Sequence, residues 1–363
     1  MNGKTVSRFF LGANSADGFY SLYDDFACAE NGDFLWVIKG GPGCGKSSFM
    51  KYIGKTAQEA GLDVEYILCS GDPDSLDGVY IPALHTGYAD GTAPHVLDPR
   101  YPAASGLYLD LGSFYDPAAL EPMLPEISAL NASYKALYTR AYASLAAAGA
   151  MDIRDYPGLA GAGELAAVLK RTHGIASREL GRETGGCGAV TRRFISSVTC
   201  KGRVFLEDTV TALCGRVYTL DNEYGMAHHF IEYMTREAVL RGHSVILCPE
   251  ALNTDRYEAL LIPELSLGFV AVEPTRGFSP KPYRHLRLDA MLDSGRIRSL
   301  RPKLRSMSRL RESLVDDAVD TLAQAKALHD RLEMLYNPYV DFDGLYAVAH
   351  EHADWILRSL EEK

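Results

Sequence analysis

The pattern of apolar and polar positions divides the chain into short buried strands and longer amphipathic helices. Four consecutive apolar residues, Leu35 to Ile38, predict a buried strand, and Phe49, Met50 and Ile53 share one face of a helix soon after it. Residues 64–69 predict a second buried strand. This alternation of strand and helix favours a parallel sheet with helices on both faces.

The same sequence features occur twice along the chain. Phe49, Ile81 and Gly87 match Phe230, Ile262 and Gly268 at one offset of 181 residues. Near the start, Arg8-Phe9-Phe10 is followed at a slightly larger offset by Arg192-Arg193-Phe194. We therefore predict two copies of one unit, covering residues 1–185 and 186–363, that meet at a glycine-rich linker around residues 184–188.

Each predicted core is followed by a helical arm, at about 116–180 in the first copy and 290–363 in the second. Apolar residues recur at helical spacing from Ile127 to Leu145 and from Leu314 to Leu332. Such stripes favour packing against other helices, so the arms are predicted to be lids or dimerisation elements. A protein partner could also bind there.

Composition narrows the class of protein and of partner. The chain has 363 residues, of which 47% are hydrophobic, and no apolar run long enough to cross a membrane. Seven scattered cysteines without a CxxC pair suggest reduced thiols, so we expect a cytoplasmic protein that does not bind membranes. The net charge of −10 makes nucleic-acid binding unlikely, although a local basic patch could exist.

The strongest chemical signal is a glycine-rich loop between the first buried strand and its helix. Residues 40–47 fit G-x-x-x-x-G-K-[ST], in which glycines let backbone N–H groups surround phosphates at a helix N-terminus. Lys46 would reach the β- and γ-phosphates, and the Ser47 hydroxyl would hold Mg²⁺. The predicted nucleotide-binding residues are Gly40, Gly41, Pro42, Gly43, Cys44, Gly45, Lys46, Ser47 and Ser48, and the predicted cofactors are ATP and Mg²⁺.

Hydrolysis also needs acids near the metal and the attacking water. Asp90 follows a short, mostly apolar strand and is the predicted second metal ligand and a catalytic residue with Lys46. Asp72, Asp74 and Asp77 follow the strand at residues 64–69 and are candidates to orient water, with Asp72 ranked first. His95 is an alternative sensor or base, although a structural role is more common for such a histidine.

The second copy lacks the residues that bind phosphate. At the offset of 181, residues 40–47 fall on 221–228, so the lysine becomes Ala227 and the hydroxyl becomes His228. We therefore predict an inactive site, with Glu273 as a candidate equivalent of the metal-side acid. His228-His229 and His350-x-His352 are not expected to bind metal, because such neighbours on a helix point apart.

Two further features, a basic segment and a cysteine, carry hypotheses of their own. Residues 281–311 hold ten basic and two acidic residues, and this segment could supply an arginine finger, bind a phosphorylated or nucleic-acid partner, or be a solvated helix face. Cys44 lies in the glycine loop, where a lowered pKa could make it a redox switch.

The segments GGPGCGKSSFMKYI, GDPDSLDG, IPAL and DGTAPHVLDP resemble a family of uncharacterised bacterial P-loop ATPases with duplicated cores, over essentially the whole chain. More distantly, the layout is similar to RecA- and KaiC-like ATPases, in which an acid past the second strand polarises water. The resemblance implies two tandem α/β P-loop NTPase cores with parallel sheets, and it implies ATP, Mg²⁺ and hydrolysis.

Three functions fit these features. The first is an ATPase with one active and one inactive copy that regulates or remodels a partner. The second is a small-molecule kinase in which residues 116–180 form a lid. The third is a nucleotide sensor that does not hydrolyse its ligand.

Overall fold

The structure is a computed structural model that describes residues 5–94, 96–182 and 186–361. In the first half of the chain, the strands and helices are β1 (Val6–Phe10), β2 (Gly12–Ser15), β3 (Gly18–Ser21), β4 (Phe34–Lys39), α1 (Lys46–Glu59), β5 (Val64–Leu68), β6 (Leu76–Ile81), β7 (Thr86–Asp90), β8 (Gly106–Asp110), α2 (Pro117–Leu120), α3 (Leu124–Ala150) and α4 (Ala162–Glu179).

The second half repeats this series, with a short helix between its third and fourth strands and without a counterpart of α2. Its elements are β9 (Val190–Arg192), β10 (Ser196–Thr199), β11 (Gly202–Phe205), α5 (Glu207–Leu213), β12 (Arg216–Asp221), α6 (Met226–Leu240), β13 (Val245–Pro249), β14 (Tyr257–Ile262), β15 (Leu267–Val272), β16 (Arg284–Leu286), α7 (Ser294–Tyr336) and α8 (Phe342–Glu361).

Both halves build a six-stranded sheet with the same strand order. The first sheet runs β1-β5-β6-β7-β4-β8, and the second, read from its other edge, runs β9-β13-β14-β15-β12-β16. This agreement supports the predicted duplication, and the α/β class is confirmed. Each sheet is mixed, however, because β6 and β14 are antiparallel to both of their neighbours.

The expectation of purely parallel sheets is therefore wrong for one strand in each copy. Only seven residues (69–75) connect β5 to β6, and seven (250–256) connect β13 to β14. A parallel neighbour needs a crossover of about a dozen residues or more, so these short connections require antiparallel strands. The remaining strands in each sheet are parallel, which brings the carboxyl ends of β4 and β7 to one edge.

The two copies meet around a local two-fold axis. Phe10 and Phe194, which are equivalent residues, exchange both backbone hydrogen bonds at 2.9 Å. A second reciprocal pair joins Ala16 N–H to the Leu252 carbonyl (3.0 Å) and Cys200 N–H to the Gly71 carbonyl (3.3 Å). Equivalent groups thus face each other across the interface, as isologous contacts require.

The arms do not stay with their own cores. The apolar stripes of α3 and α7 pack against each other through residues that include Ala141, Leu145, Val315 and Leu322. Beyond this pair the arms cross: α4 of the first copy packs on α6 of the second core, and α8 of the second copy packs on α1 of the first core. Each core is therefore completed by a helix from the other half of the chain.

This exchange is stabilised by apolar burial. On α8, Leu345, Ala349, Ala353 and Ile356 are buried in the first core. Burying a leucine or isoleucine side chain contributes about 1.5–3 kcal/mol, so the crossing helices hold the two copies together. Within the described residues, no helix combines the length and the apolar character needed to cross a membrane.

Candidate functional site

The glycine-rich loop connects β4 to α1 at the carboxyl edge of the first sheet. Gly40, Gly43 and Gly45 have φ angles of 154°, 73° and 79°, values that residues with a side chain rarely adopt. The left-handed Gly45 directly precedes α1, and Phe49, Met50 and Ile53 on one face of that helix are buried in the core. The loop geometry therefore fits the phosphate cradle that the sequence predicts.

Lys46 lies inside this loop beside Asp90. The Lys46 ammonium donates to the carbonyl oxygens of Gly40 (2.8 Å) and Gly41 (2.9 Å). The same nitrogen is 3.6 Å from an Asp90 carboxylate oxygen, and both side chains are only 13% exposed. Asp90 comes to this position because β7 pairs with β4 in parallel, with Asp90 opposite Ile38.

Asp77 is a second acid at the same place. In the antiparallel register of β6 and β7, Gly78 pairs with Ala89, so Asp77 lies opposite Asp90 with its side chain on the same face of the sheet. Burial raises the pKa of Asp90 although Lys46 opposes this, and the nearby Asp77 carboxylate adds to the rise. The residue before Asp77, Leu76, donates its N–H to the Ser47 hydroxyl (2.9 Å).

The other two aspartates of this segment lie differently. The Asp72 carboxylate accepts from the Ser75 hydroxyl (3.2 Å) and is 3.3 Å from the Lys326 ammonium of α7. The Asp74 side chain is 73% exposed and pairs with Lys201. The structure thus brings Asp77, rather than the higher-ranked Asp72, next to Asp90. The register of a buried antiparallel strand decides this, and the turn signals in the sequence do not reveal it.

The arm of the second copy contacts the glycine loop. The Asn337 amide, oriented by its hydrogen bonds, donates to the Gly43 carbonyl (2.9 Å) and to the Glu333 carbonyl (3.1 Å). Leu345 of α8 lies beside Gly45. Tyr115, the residue just before the first arm, also contacts the loop: its hydroxyl donates to the Pro42 carbonyl (2.7 Å).

The first arm does not form the predicted lid over this loop. Its helix α4 packs on α6 of the second core, while the end of α7 and the start of α8 contact the loop. Sequence reasoning missed Asn337 and Lys326 as neighbours of the site. Lys326 belongs to a Lys-Ala-Leu-x-x-Arg motif shared by both arms, but nothing in that motif indicates that the arms cross.

Cys44 does not fit the proposed redox switch. Its side chain is 1% exposed, and burial raises the pKa of its thiol, although Lys46 opposes the change. A buried thiol with a raised pKa holds little of the reactive thiolate. The prediction of a lowered pKa is therefore wrong.

The corresponding edge of the second sheet has a different shape. The β4–α1 connection has six residues (40–45), whereas the β12–α6 connection has four (222–225). Gly87 pairs with Leu35 and Gly268 pairs with Val217, so the two strands correspond at an offset of 182. The uniform offset of 181 through this loop is therefore wrong, and Asp221 corresponds to Lys39.

An arginine from the first arm occupies the mouth of this second site. Arg154 lies against Gly225 and donates to Asp152 (2.5–3.0 Å), Glu250 (2.7 and 2.8 Å) and Glu273 (3.1 Å). Although burial lowers it, these carboxylates hold the pKa of Arg154 well above its ordinary value. Burial raises the pKa of Asp152, but the bonds and charge of Arg154 prevail and lower it to about 2.

Glu273 is therefore a partner of Arg154 and not the equivalent of Asp90. The strand register places Ala271 where the first copy has Asp90, and Ala227 is fully buried where the first copy has Lys46. Lysine, glycine loop and metal-side acid are all absent at this place. That the second copy does not bind a triphosphate stays a prediction.

An open pocket of about 510 Å³ lies beside Glu273. Its acidic lining residues are Asp221, Glu223, Glu273 and Asp289. His285 is 2.7 Å from Asp221, while Asp289 accepts from the Glu223 N–H (2.8 Å). Burial, with Asp221 and Glu223 nearby, raises the pKa of Asp289 to about 7, although hydrogen bonds from the Glu223 and Tyr224 N–H groups oppose the shift.

The basic segment 281–311 belongs to the second copy and does not reach the first loop. Arg311 is 3.4 Å from Glu250, in the network around Arg154. Glu333, near the glycine loop, lies 22 residues further along α7, or about 33 Å at 1.5 Å per residue. The hypothesis that this segment provides an arginine finger to the first site is therefore wrong for the described residues.

The histidines have structural partners. His228 and His229 do approach each other and Glu232, with possible ligand atoms within 4.8 Å, so the argument that they point apart is wrong. However, His228 Nδ1 accepts the Tyr257 N–H (3.2 Å), so the neutral ring carries its proton on Nε2, the atom facing Glu232. This tautomer disfavours a metal ion.

His350 and His352 connect α8 to the first core. His350 forms a hydrogen bond with the Tyr52 hydroxyl, and His352 forms one with the Tyr88 hydroxyl. His95, the alternative sensor or base, lies outside the described residues.

Comparisons with known proteins identify no relative of this chain. No family model, no curated protein and no solved structure matches the chain. What the site binds must therefore be inferred from its own residues and their geometry.

Proposed function

We propose that the first copy binds ATP with Mg²⁺ and hydrolyses it. The observation that carries this proposal is the convergence of the Lys46 ammonium, the Ser47 hydroxyl and the Asp90 carboxylate at the N-terminus of α1, with Lys46 3.6 Å from Asp90. Three left-handed glycines in the preceding loop support it, because they leave the backbone free to approach phosphates closely.

Each residue has a defined role in this proposal. Backbone N–H groups of residues 40–48, with the positive end of the α1 dipole, would bind the phosphates. Lys46 would release the Gly40 and Gly41 carbonyls and contact the β- and γ-phosphates. Ser47 and Asp90 would hold Mg²⁺, which neutralises phosphate charge when bound, and Asp77 would lie beside them.

The proposed site also needs an acid that orients the attacking water. A RecA- and KaiC-like arrangement would use Asp72, which follows β5. In the structure the Asp72 carboxylate is held by Lys326 from the other arm. We infer that Asp72 acts only when this ion pair is rearranged, which would connect turnover to the position of α7.

A nucleotide sensor is the second candidate. The hydrogen bond from Asn337 to the Gly43 carbonyl favours it, because the loop and the end of α7 are in direct contact. A change in the loop on binding ATP would reach the arm without any hydrolysis. Turnover distinguishes the two functions.

The test is Mg-ATP binding and phosphate release by the full chain, beside Lys46→Ala. Lys55→Ala is the matched control, since Lys55 lies on the same helix with its side chain 73% exposed. We expect Lys46→Ala to lose binding and turnover and Lys55→Ala to keep both. Binding that survives Lys46→Ala would overturn the proposal. Binding without phosphate release would support the sensor, and ADP formed only with an added acceptor would support a kinase.

A further inference from the structure

A groove lined by basic side chains lies on the second copy, between α4 and the strands β12 and β16. Its volume is about 530 Å³. Lys170, Arg171 and Arg178 line it from α4, and Arg284 lines it from β16. More than a hundred residues separate these two segments in the chain, so only the crossing of the first arm onto the second core brings them together.

The four cations have no ion-pair partners among the described residues. All four are exposed, and within the described ranges no ion pair joins any of them to a carboxylate. The nearby acid Glu179 is already paired with Arg216 (2.6 Å). In a chain with a net charge of −10, four unpaired cations around one groove reverse the local charge.

The basic segment 281–311, which includes Arg284, also reaches the start of α4. An ion pair between Arg296 and Glu164 (3.2 Å) holds the start of α7 next to the start of α4. Arg298 and Arg301, in the first turns of α7, are exposed as well. The cations of α7 thus lie on a helix next to α4, which supplies three of the four groove cations.

The spacing of the cations selects an extended anion. Lys170 and Arg178 are eight residues apart on α4, or about 12 Å along the helix, so one small anion cannot contact both ends of the groove. At the edge, the Tyr283 ring is 46% exposed, and the guanidinium groups of Arg216 and Arg284 lie 5.7 and 5.4 Å from its centre. Exposed rings and guanidinium planes are surfaces on which bases stack.

We propose that this groove binds the phosphate backbone of a single-stranded nucleic acid. The proposal departs from the expectation, drawn from overall charge, that nucleic-acid binding is unlikely, because the cations of this face are concentrated in one place. A phosphopeptide with one phosphate would use only part of the groove. The proposal is independent of the ATP site, because binding is expected without nucleotide.

The test measures fluorescence anisotropy of a labelled 20-nucleotide single strand with the full chain, over a series of salt concentrations. The groove variant is Arg178→Ala/Arg284→Ala, which removes one cation from each element. The control is Lys55→Ala/Arg331→Ala, which removes the same charge from exposed positions elsewhere. Thermal unfolding confirms that each variant is folded.

The expected result is specific in size. Each phosphate contact adds about 0.7 to the slope of log affinity against log salt for a single strand, so the groove variant should lose about 1.4 of that slope. At 0.1 M salt its affinity should fall about 25-fold, while the control should change less than about twofold.

Three outcomes would overturn the proposal. The first is the absence of binding at low salt. The second is an equal loss in both variants, which would reflect net charge alone. The third is tighter binding of a phosphoserine peptide or of anionic vesicles than of the single strand, with the same sensitivity to the groove variant, because the occupant would then be of another class.

Discussion

At the end of β4 the chain forms a six-residue glycine loop around Lys46, whereas at the end of β12 a four-residue turn brings Asn222 and Glu223 to the equivalent edge. The first edge carries a cation from its own core helix with Asp90 beside it. The second edge carries a cation from the opposite arm, Arg154, bonded to three carboxylates. Both edges therefore hold a positive charge, but in different settings.

The difference separates a cation that can change its partners from one that is fixed in place. In the first copy, the hydrogen bonds of Lys46 go to loop carbonyls, so the ammonium can exchange them for phosphate oxygens. In the second copy, Arg154 is buried and its carboxylate partners leave it no such freedom. Restoring one lysine at Ala227 would not recreate a phosphate site there, because the six-residue glycine loop and the acid at the position of Asp90 would still be missing.

The largest effect that this comparison predicts concerns Arg154. Arg154→Ala leaves Asp152, Glu250 and Glu273 near one another without their shared cation, and removing one partner of a buried ion pair costs about 3–5 kcal/mol. We expect the free energy of unfolding to fall by that amount in urea titrations. Asn337→Ala, in the connection that follows the long helix of the other arm, should cost only about 1 kcal/mol. Equal losses of unfolding free energy in the two variants would contradict this difference between the two edges.

The next effect concerns the acid opposite Asp90. Asp77 corresponds to Glu258 in the second copy. There Arg276 forms an ion pair with Glu258, and the Ser196 hydroxyl donates a hydrogen bond to it. In the first copy the Tyr23 hydroxyl donates to Asp77 (3.1 Å) beside the proposed metal. We expect Asp77→Asn to lower phosphate release about 10- to 100-fold and to raise the Mg²⁺ concentration required, in steady-state assays. Glu258→Gln should leave turnover unchanged, and an equal loss would show that both acids act through stability.

The strand-level features of the site could be read from the sequence, but the crossing of the arms could not. Apolar runs and glycine spacing predict β4, the loop and α1, because these depend on local backbone chemistry and on burial next to it. The positions of Asp77, Arg154 and Asn337 depend on strand register and on which core each arm covers. Apolar stripes such as Ile127 to Leu145 predict that a helix packs, but they do not identify its partner.

A smaller effect concerns how stability depends on pH, through Asp289 in the pocket of the second copy. The histidine of this pocket, His285, is paired with Asp221. Burial, together with the nearby Asp221 and Glu223, raises the pKa of Asp289 in the folded protein to about 7. In the unfolded chain the pKa of an aspartate is about 4. Between these values the folded chain holds a proton that the unfolded chain has lost, so this group lowers stability as pH rises from about 4 to 7. Asp289→Asn should stabilise the protein at pH 8 by at most about 4 kcal/mol, the equivalent of about three pKa units, and have no effect near pH 4. Thermal unfolding at both pH values checks this, and a stabilisation independent of pH would contradict the raised pKa.

The smallest predicted effect concerns the contact between the second arm and the glycine loop. Asn337→Ala removes the donor to the Gly43 carbonyl, and one such hydrogen bond contributes about 1 kcal/mol. If Asn337 holds the loop in the shape that phosphates require, ATP must order the loop itself in the variant, and its affinity should fall about fivefold. Calorimetric titration with Mg-ATP measures this, with Lys55→Ala as the unchanged control. Tighter binding by the variant would show the opposite, that the second arm restrains the loop in a shape ATP does not use.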